Sequence, residues 1–221
     1  MIEIMKSLIR KIGFRLFGTF QIEPLIAREL QGIGTVLDAG CGRLSHLKGI
    51  KEKYLVGLDI YPPYIVESSR ARIHQAYLLG DMRELPFKSA AFDCVVGIEI
   101  LEHLNKTDGL LLLKEMERVA RKKIILTTPN GFLPTYSGPQ DNPSERHLSG
   151  WSYQEIKQLG FKIRGINGLK ILWVVKGGQA VPRIRIPILS GILIVLSEFI
   201  TYYFAALAFQ FFFYKELDKT K

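Results

Sequence analysis

Two features of this sequence predict an open α/β fold, with a mostly parallel sheet and helices on both faces. Short apolar runs alternate with helical stretches at regular spacing, the pattern of repeated βαβ units. Four of those runs also lead into an acidic residue: Asp38, Asp59, Asp81 and Glu99. In an open α/β sheet the C-terminal strand ends form the ligand edge, so acids gathered there read as ligand contacts.

The elements follow in order. Residues 1–20 place Ile2, Met5, Ile9, Ile12, Leu16 and Phe20 at helical spacing, with Lys6, Arg10, Lys11 and Arg15 between them. The charges are scattered and no small-residue cleavage site follows, so the segment reads as part of an N-terminal helical cap over 1–30, not as a secretory leader. Residues 35–39 form the first strand. It delivers Asp38 and then the turn Gly40-Cys41-Gly42, where a side chain would obstruct ligand approach and disfavour a tight bend. A short helix is expected after Ser45. The second strand, 54–60, ends in Asp59 and Ile60, about 20 residues beyond the first acid. An acid at that distance can hold the two ribose hydroxyls of a nucleoside.

Pro62-Pro63 starts a helix, since proline's fixed φ suits the first turn. Residues 76–79 make a third strand, followed by Gly80-Asp81-Met82. The continuous apolar run 92–100 reads as a fourth, fully buried strand leading into Leu101-Glu102-His103-Leu104. A helix over about 107–121 and a fifth strand at 123–128 complete the alternation. Residues 130–150 form a long loop rich in Pro, Gly, Ser and Asn, which contains Tyr136, Arg146 and His147 and stops just before Trp151. Loops of this length inside compact domains are commonly lids, and this one is expected to close over a substrate.

Composition sets bounds. The 221 residues, 48% of them hydrophobic, suit a single domain with a full core. Cys41 and Cys94 lie in the glycine turn and in mid-strand, which suggests neither a disulfide nor a metal site and fits a reducing cytoplasm. The four histidines show no metal-ligand spacing, so no metal is expected. The net charge of +9 raises anionic partners. However, the basic residues are dispersed and no basic run carries interleaved aromatics, which argues for a solvated basic surface and against nucleic acid.

Taken together, Val-Leu-Asp-Ala-Gly-Cys-Gly at 36–42, Gly-Leu-Asp-Ile at 57–60, Gly-Asp-Met-Arg-Glu-Leu-Pro-Phe at 80–87 and the run from Phe92 to Leu104 resemble the class I S-adenosylmethionine-dependent methyltransferases. Within these, the chain is similar to the small-molecule group known as methyltransferase type 11, over roughly 35–130. The resemblance implies a Rossmann-like, seven-stranded, mostly parallel sheet and S-adenosylmethionine as cofactor. It assigns Asp38, Gly40 and Gly42 to the methionine portion, Asp59 with Ile60 to the ribose, and Asp81 with Met82 to the adenine. Glu99 would flank the sulfonium. The family's third glycine is replaced by Leu44, which leaves the roles of Arg43 and Leu44 open.

The resemblance also implies a closing antiparallel strand pair. The aromatic run 208–214, bounded by Lys215-Glu216, fits the last strand, with 161–166 or 171–175 as its partner. The core then covers 31–175, with a hydrophobic helical insertion over 176–207, its helix at about 188–206. Residues 186–214 are nearly long enough to cross a bilayer, but Glu198 interrupts them. On a helical wheel Ser190, Ser197, Glu198 and Thr201 form one narrow polar stripe. Peripheral contact through 184–206, on the inner face of a membrane, is therefore preferred to a span.

Because the sulfonium activates its own methyl group, the protein's task is alignment and exclusion of water. His103 is the leading candidate for general base and His147 the second. The acceptor is expected to be a small molecule, lipidic or glycan-linked. Two other readings compete. An NAD-dependent dehydrogenase is disfavoured by Gly-Cys-Gly-Arg-Leu where a three-glycine fingerprint is expected. The other is a membrane-associated, non-catalytic cofactor-binding protein.

Overall fold

The computed structural model describes residues 21–51, 53–134, 142–176 and 179–217. The expected helix over 1–20, and Tyr136 in the loop, lie outside the described residues. The first described helix is α1 (Ile22–Glu29). It is followed by β1 (Thr35–Ala39), β2 (Tyr54–Asp59), α2 (Pro62–Ala71), β3 (Ala76–Leu79), β4 (Phe92–Gly97), α3 (Lys106–Val119) and β5 (Ala120–Pro129). Then come α4 (Tyr153–Gln158), β6 (Lys162–Leu169), β7 (Trp173–Lys176), β8 (Gln179–Pro182), α5 (Pro187–Tyr203) and β9 (Ala208–Glu216).

Seven strands form one sheet in the order β3-β2-β1-β4-β5-β9-β6. The first five run parallel, and β9 is antiparallel to both of its neighbours. The order reverses between β1 and β4, the switch point where open α/β sheets leave a crevice. Register levels the tips there: Asp38 pairs with Gly57 and Val96, and Asp59 with Leu79.

Core packs on both faces of the sheet. Along β9, Phe211 and Phe213 enter the cluster with Leu112, Met116 and Trp151. Phe212 and Tyr214 point the other way, towards Leu25, Ile26 and Tyr202. That is the period-2 alternation of a strand buried on both sides. Each such side chain contributes about 1.5–3 kcal/mol on burial. Helix α3 presents Leu112, Leu113, Met116 and Val119 to the core, and Asn105 caps it by accepting the Asp108 amide at 2.9 Å.

Several expectations need correction. No helix follows Ser45. Residues 46–49 form a turn held by single i→i+3 bonds, Lys48 N to Ser45 O and Ile50 N to Leu47 O, and Gly49 at φ +96° ends it. β4 ends at Gly97, not residue 100, because Glu99 adopts φ +53° and turns the chain. α3 stops at Val119 and β5 begins at once, at Ala120. Of the two proposed partners for the last strand, 162–169 pairs with it, while Trp173–Lys176 forms a separate hairpin with Gln179–Pro182.

The hydrophobic segment between that hairpin and β9 is helical, as α5. Its polar stripe faces inward: Ser190, Ser197, Glu198 and Thr201 are buried, whereas Leu196, Phe199, Ile200 and Tyr203 are exposed. β6 allows this close approach through two glycines. A Cβ on Gly165 would meet the Thr201 carbonyl oxygen at 2.3 Å, and one on Gly168 the Ser197 Oγ at 2.5 Å. Ser197 Oγ also accepts the Leu169 amide at 2.9 Å. Among the described residues, no helix is long and apolar enough to cross a membrane.

Candidate active site

A cavity of about 520 Å³ opens at the C-terminal tips of β1, β2, β3 and β4. That volume lies within the range of small-molecule and cofactor sites. All ten residues named from the sequence line it: Asp38, Gly40, Gly42, Asp59, Ile60, Asp81, Met82, Glu99, His103 and His147.

The floor is the glycine turn. Gly40 N and Cys41 N both donate to the Leu58 carbonyl, at 2.7 and 3.0 Å, which stitches the turn to β2. Gly40 has φ +74°, and a Cβ there would meet Ile100 Cγ2 at 2.5 Å. Gly42 has φ +58° and nothing within 4 Å of its Cβ position, so this bend presents bare backbone to the cavity. Leu44, standing in the third-glycine position, is 70% exposed at the cavity wall.

Two carboxylates are locked by local bonds. Asp59 accepts Gly42 N and Tyr61 N, each at 2.9 Å, and burial raises its pKa against those bonds. Asp38 accepts Ser45 Oγ–H at 2.5 Å and lies 2.9 Å from His74 Nε2. Ser45 and His74 were not found from the sequence, and for His74, 36 residues from Asp38, no local signal exists. Asp81 lies further out and is held below the usual carboxylate range by hydrogen bonds from Arg83, whose Nε is 3.0 Å from both carboxylate oxygens. Arg83 also reaches Asp108 at 3.0 Å. Burial, Asp38 and Asp59 all push the Cys41 thiol up, which disfavours the thiolate a nucleophile needs.

The opposite wall is built on the turn after β4. Glu99 accepts Thr127 Oγ1–H at 2.6 Å and also a bond from Gln210 on β9, and Gln210 in turn accepts from Asn167 on β6. Glu102 was named in sequence only as part of the run into His103. It is 1% exposed and accepts Thr128 Oγ1–H at 3.0 Å. Burial and the neighbouring Glu99 carboxylate raise its pKa well above the usual range.

The described end of the 130–150 loop lies against this wall. Leu148 N and Ser149 N donate to the Glu102 carbonyl at 2.8 and 3.1 Å, and Ser144, Glu145, His147 and Leu148 line the cavity. The His103 and His147 rings meet edge to face, centroids 4.8 Å apart. Burial and the adjacent His103 push His147 down to about 4.

The cavity lining therefore combines the carboxylates of Asp38, Asp59 and Asp81, the imidazoles of His103 and His147 with the Glu102 carboxyl, and the apolar side chains of Ile60, Met82, Ile98, Ile100 and Leu104. Bare backbone at Gly42, acids at the tips of β1 and β2 and an apolar slot beside Met82 suit a charged nucleoside with an amino-acid tail.

Comparison with known proteins gives a consistent picture. A family model described as a methyltransferase domain matches residues 37–127. A protein of Encephalitozoon cuniculi, provisionally named a methyltransferase, is 27% identical over 140 residues, 61% of this chain and 65% of its own length. In two further curated relatives the matched stretch is 36% and 45% of their length, so the chain spans less than two thirds of each. Among solved structures, a SAM-dependent methyltransferase from Archaeoglobus fulgidus superposes with TM-score 0.53 at 17% identity, over 94% of this chain and 99% of that one. Magnesium protoporphyrin IX methyltransferase of Synechocystis, solved with bound SAH, gives TM-score 0.51 at 17% identity, over 76% and 82%. At such identity these two show the shared fold.

Proposed function

We propose that the chain is a class I S-adenosylmethionine-dependent methyltransferase, a reading supported by the methyltransferase-domain match over 37–127 and by the fold shared with solved methyltransferases. From that premise we propose that it moves the methyl group of S-adenosylmethionine to a small-molecule acceptor. The observation that carries this reading is the convergence of Asp38, Asp59, Asp81 and Glu99 with a bare-backbone turn on one cavity at the sheet's switch point. When bound, S-adenosylmethionine supplies a methyl group already activated on a sulfonium.

The chain's residues then bind, orient and exclude water. Asp59, fixed by two amides, accepts the ribose hydroxyls, and the backbone at Gly40 and Gly42 cradles the amino-acid portion. Asp81 and Met82 border the adenine. Ile100 and Leu104 keep the slot dry. His103 and His147 form the acceptor side and deal with the acceptor's proton. Holding the partners in line accounts for most of the acceleration.

The acceptor we propose is lipidic, because α5 turns an apolar face outward. Phe199 is 55% and Phe204 65% exposed, and Arg183 and Arg185 are exposed just before the helix. An apolar face flanked by cations suits contact with an anionic lipid surface. Asn130, at the tip of β5, donates to the Ala206 and Ala208 carbonyls, so this end of α5 lies at the same sheet edge as the cavity. Methyl-labelled S-adenosylmethionine, incubated with the protein and a cell extract, is expected to label the organic-solvent fraction. Cofactor binding with no labelled product from any extract would favour the non-catalytic reading.

A further inference from the structure

Large apolar side chains stand exposed from the cavity mouth to the end of α5. Leu148 lines the cavity and is itself exposed. Two residues further on, Gly150 packs so closely on the chain at Phe132 that a Cβ there would collide with the Phe132 amide nitrogen. Two residues before Phe132, Asn130 donates to the carbonyls of Ala206 and Ala208 at 3.0 and 2.8 Å, which brackets Leu207. The Asn130 carbonyl in turn accepts from Lys170, the chain neighbour of Ile171. Two residues span at most about 7 Å, so Leu148, Phe132, Ile171 and Leu207 share one edge roughly 20 Å long. Phe132 is 58% and Ile171 70% exposed, and Leu207 is exposed as well. The four come from separate segments outside α5 and carry its outward apolar face on to the cavity.

The charge around this edge is one-sided. Between residues 165 and 207 the cations are Lys170, Lys176, Arg183 and Arg185, all of them exposed, and the single acid, Glu198, is buried. An apolar strip rimmed by cations and free of exposed acids complements an anionic bilayer. Apolar side chains reach the acyl boundary while Lys and Arg stay with the headgroups. A protein partner would have to supply a matching apolar strip and an acidic rim together, whereas an anionic bilayer presents both everywhere.

We propose that the cavity mouth docks on an anionic membrane surface through Leu148, Phe132, Ile171 and Leu207, alongside α5. The consequence deepens the lipid-acceptor reading and rests on it: the acceptor's polar head enters past Leu148 while its chains stay in the bilayer. With the mouth against lipid, bulk water is kept from the reacting atoms. Docking itself does not depend on methyl transfer.

The test uses the full-length protein with phosphatidylcholine vesicles, with and without phosphatidylserine, whose brominated acyl chains quench tryptophan. Phe132→Trp and Ile171→Trp place reporters on the edge, and Val66→Trp places one on the exposed side of α2 as a control. Fluorescence at 132 and 171 is expected to be quenched about twofold more strongly than at 66, and only with phosphatidylserine present. Phe132→Glu combined with Ile171→Glu should weaken vesicle binding about tenfold, with S-adenosylhomocysteine affinity within about threefold of wild type. A cooperative melt reports that this variant folds. Vesicle binding without quenching at 132 and 171, or unchanged binding by the double variant, would overturn the docking of the mouth and leave α5 alone as the contact. Absence of binding to either vesicle would overturn it too, and would assign the face to a protein partner. If quenching appears as expected and S-adenosylhomocysteine does not bind, the docking stands and the methyl-transfer reading falls.

Discussion

Asp59 at the tip of β2 accepts the Gly42 amide of the β1 turn at 2.9 Å. One carboxylate thereby fixes the acid and the glycine bend relative to each other before any ligand arrives. Such preorganisation lowers the ordering cost of binding. Asp59→Asn keeps the shape but replaces one accepting oxygen with an NH2 group. Its affinity for S-adenosylhomocysteine is expected to fall about 10- to 100-fold, corresponding to roughly 1.4–2.8 kcal/mol, with a fold that still melts cooperatively. Unchanged affinity by calorimetry would remove Asp59 from the site.

The two glycines of the turn should separate stability from binding. Gly40→Ala adds a Cβ 2.5 Å from Ile100 Cγ2 at φ +74° and is expected to lower stability by about 1–3 kcal/mol. Gly42→Ala meets no atom within 4 Å, so it carries only the strain of φ +58°, about 1 kcal/mol. It should nonetheless weaken cofactor binding, because its methyl group enters the cavity. Denaturant melts beside binding isotherms check both. Equal stability losses would mean that the turn is not packed as described.

Glu198 makes stability fall with rising pH. Burial alone pushes its carboxyl up to about 7 from 4.5. A raised pKa means that the folded state holds the proton more tightly, so the group's contribution is complete below about pH 4.5 and is lost as pH rises through about 7. Discounted for partial solvent screening, the difference is about 1–2 kcal/mol. Glu198→Gln should match wild type near pH 5 and exceed it by about that amount at pH 8. Parallel stability curves for the two proteins would contradict this.

The outward face of α5 should bind vesicles containing anionic lipid. Leu196 and Phe199 are exposed, so changing both to Glu is expected to abolish co-sedimentation without lowering the melting temperature. Raising salt should weaken the wild-type interaction, given the basic residues at 183 and 185. Wild-type protein that stays in the supernatant at every lipid concentration would sink the lipid reading.

The strand tips were legible in the sequence because the signal there is local. Asp38, Asp59 and Asp81 each stand within a residue or two of a strand end, next to glycine or an apolar run. What was not legible is long-range or directional. The contact of Gln210 with Glu99 joins residues 111 apart, and nothing near either predicts it. His103 and His147 look scattered in sequence, yet the loop returns over the Glu102 carbonyl and brings their rings together. The polar stripe of α5 was visible on a helical wheel, but the periodicity does not say which face turns inward. The glycines of β6 decide that, by admitting Ser197 and Thr201 at close range.

The most direct measurement is calorimetric titration of the full chain with S-adenosylhomocysteine, with NAD titrated separately into the same protein. One site per chain at micromolar affinity, lost in Asp59→Ala and without heat from NAD, is the predicted result. A folded protein that takes up NAD, or that ignores S-adenosylhomocysteine at millimolar concentration, would contradict the assignment of this cleft.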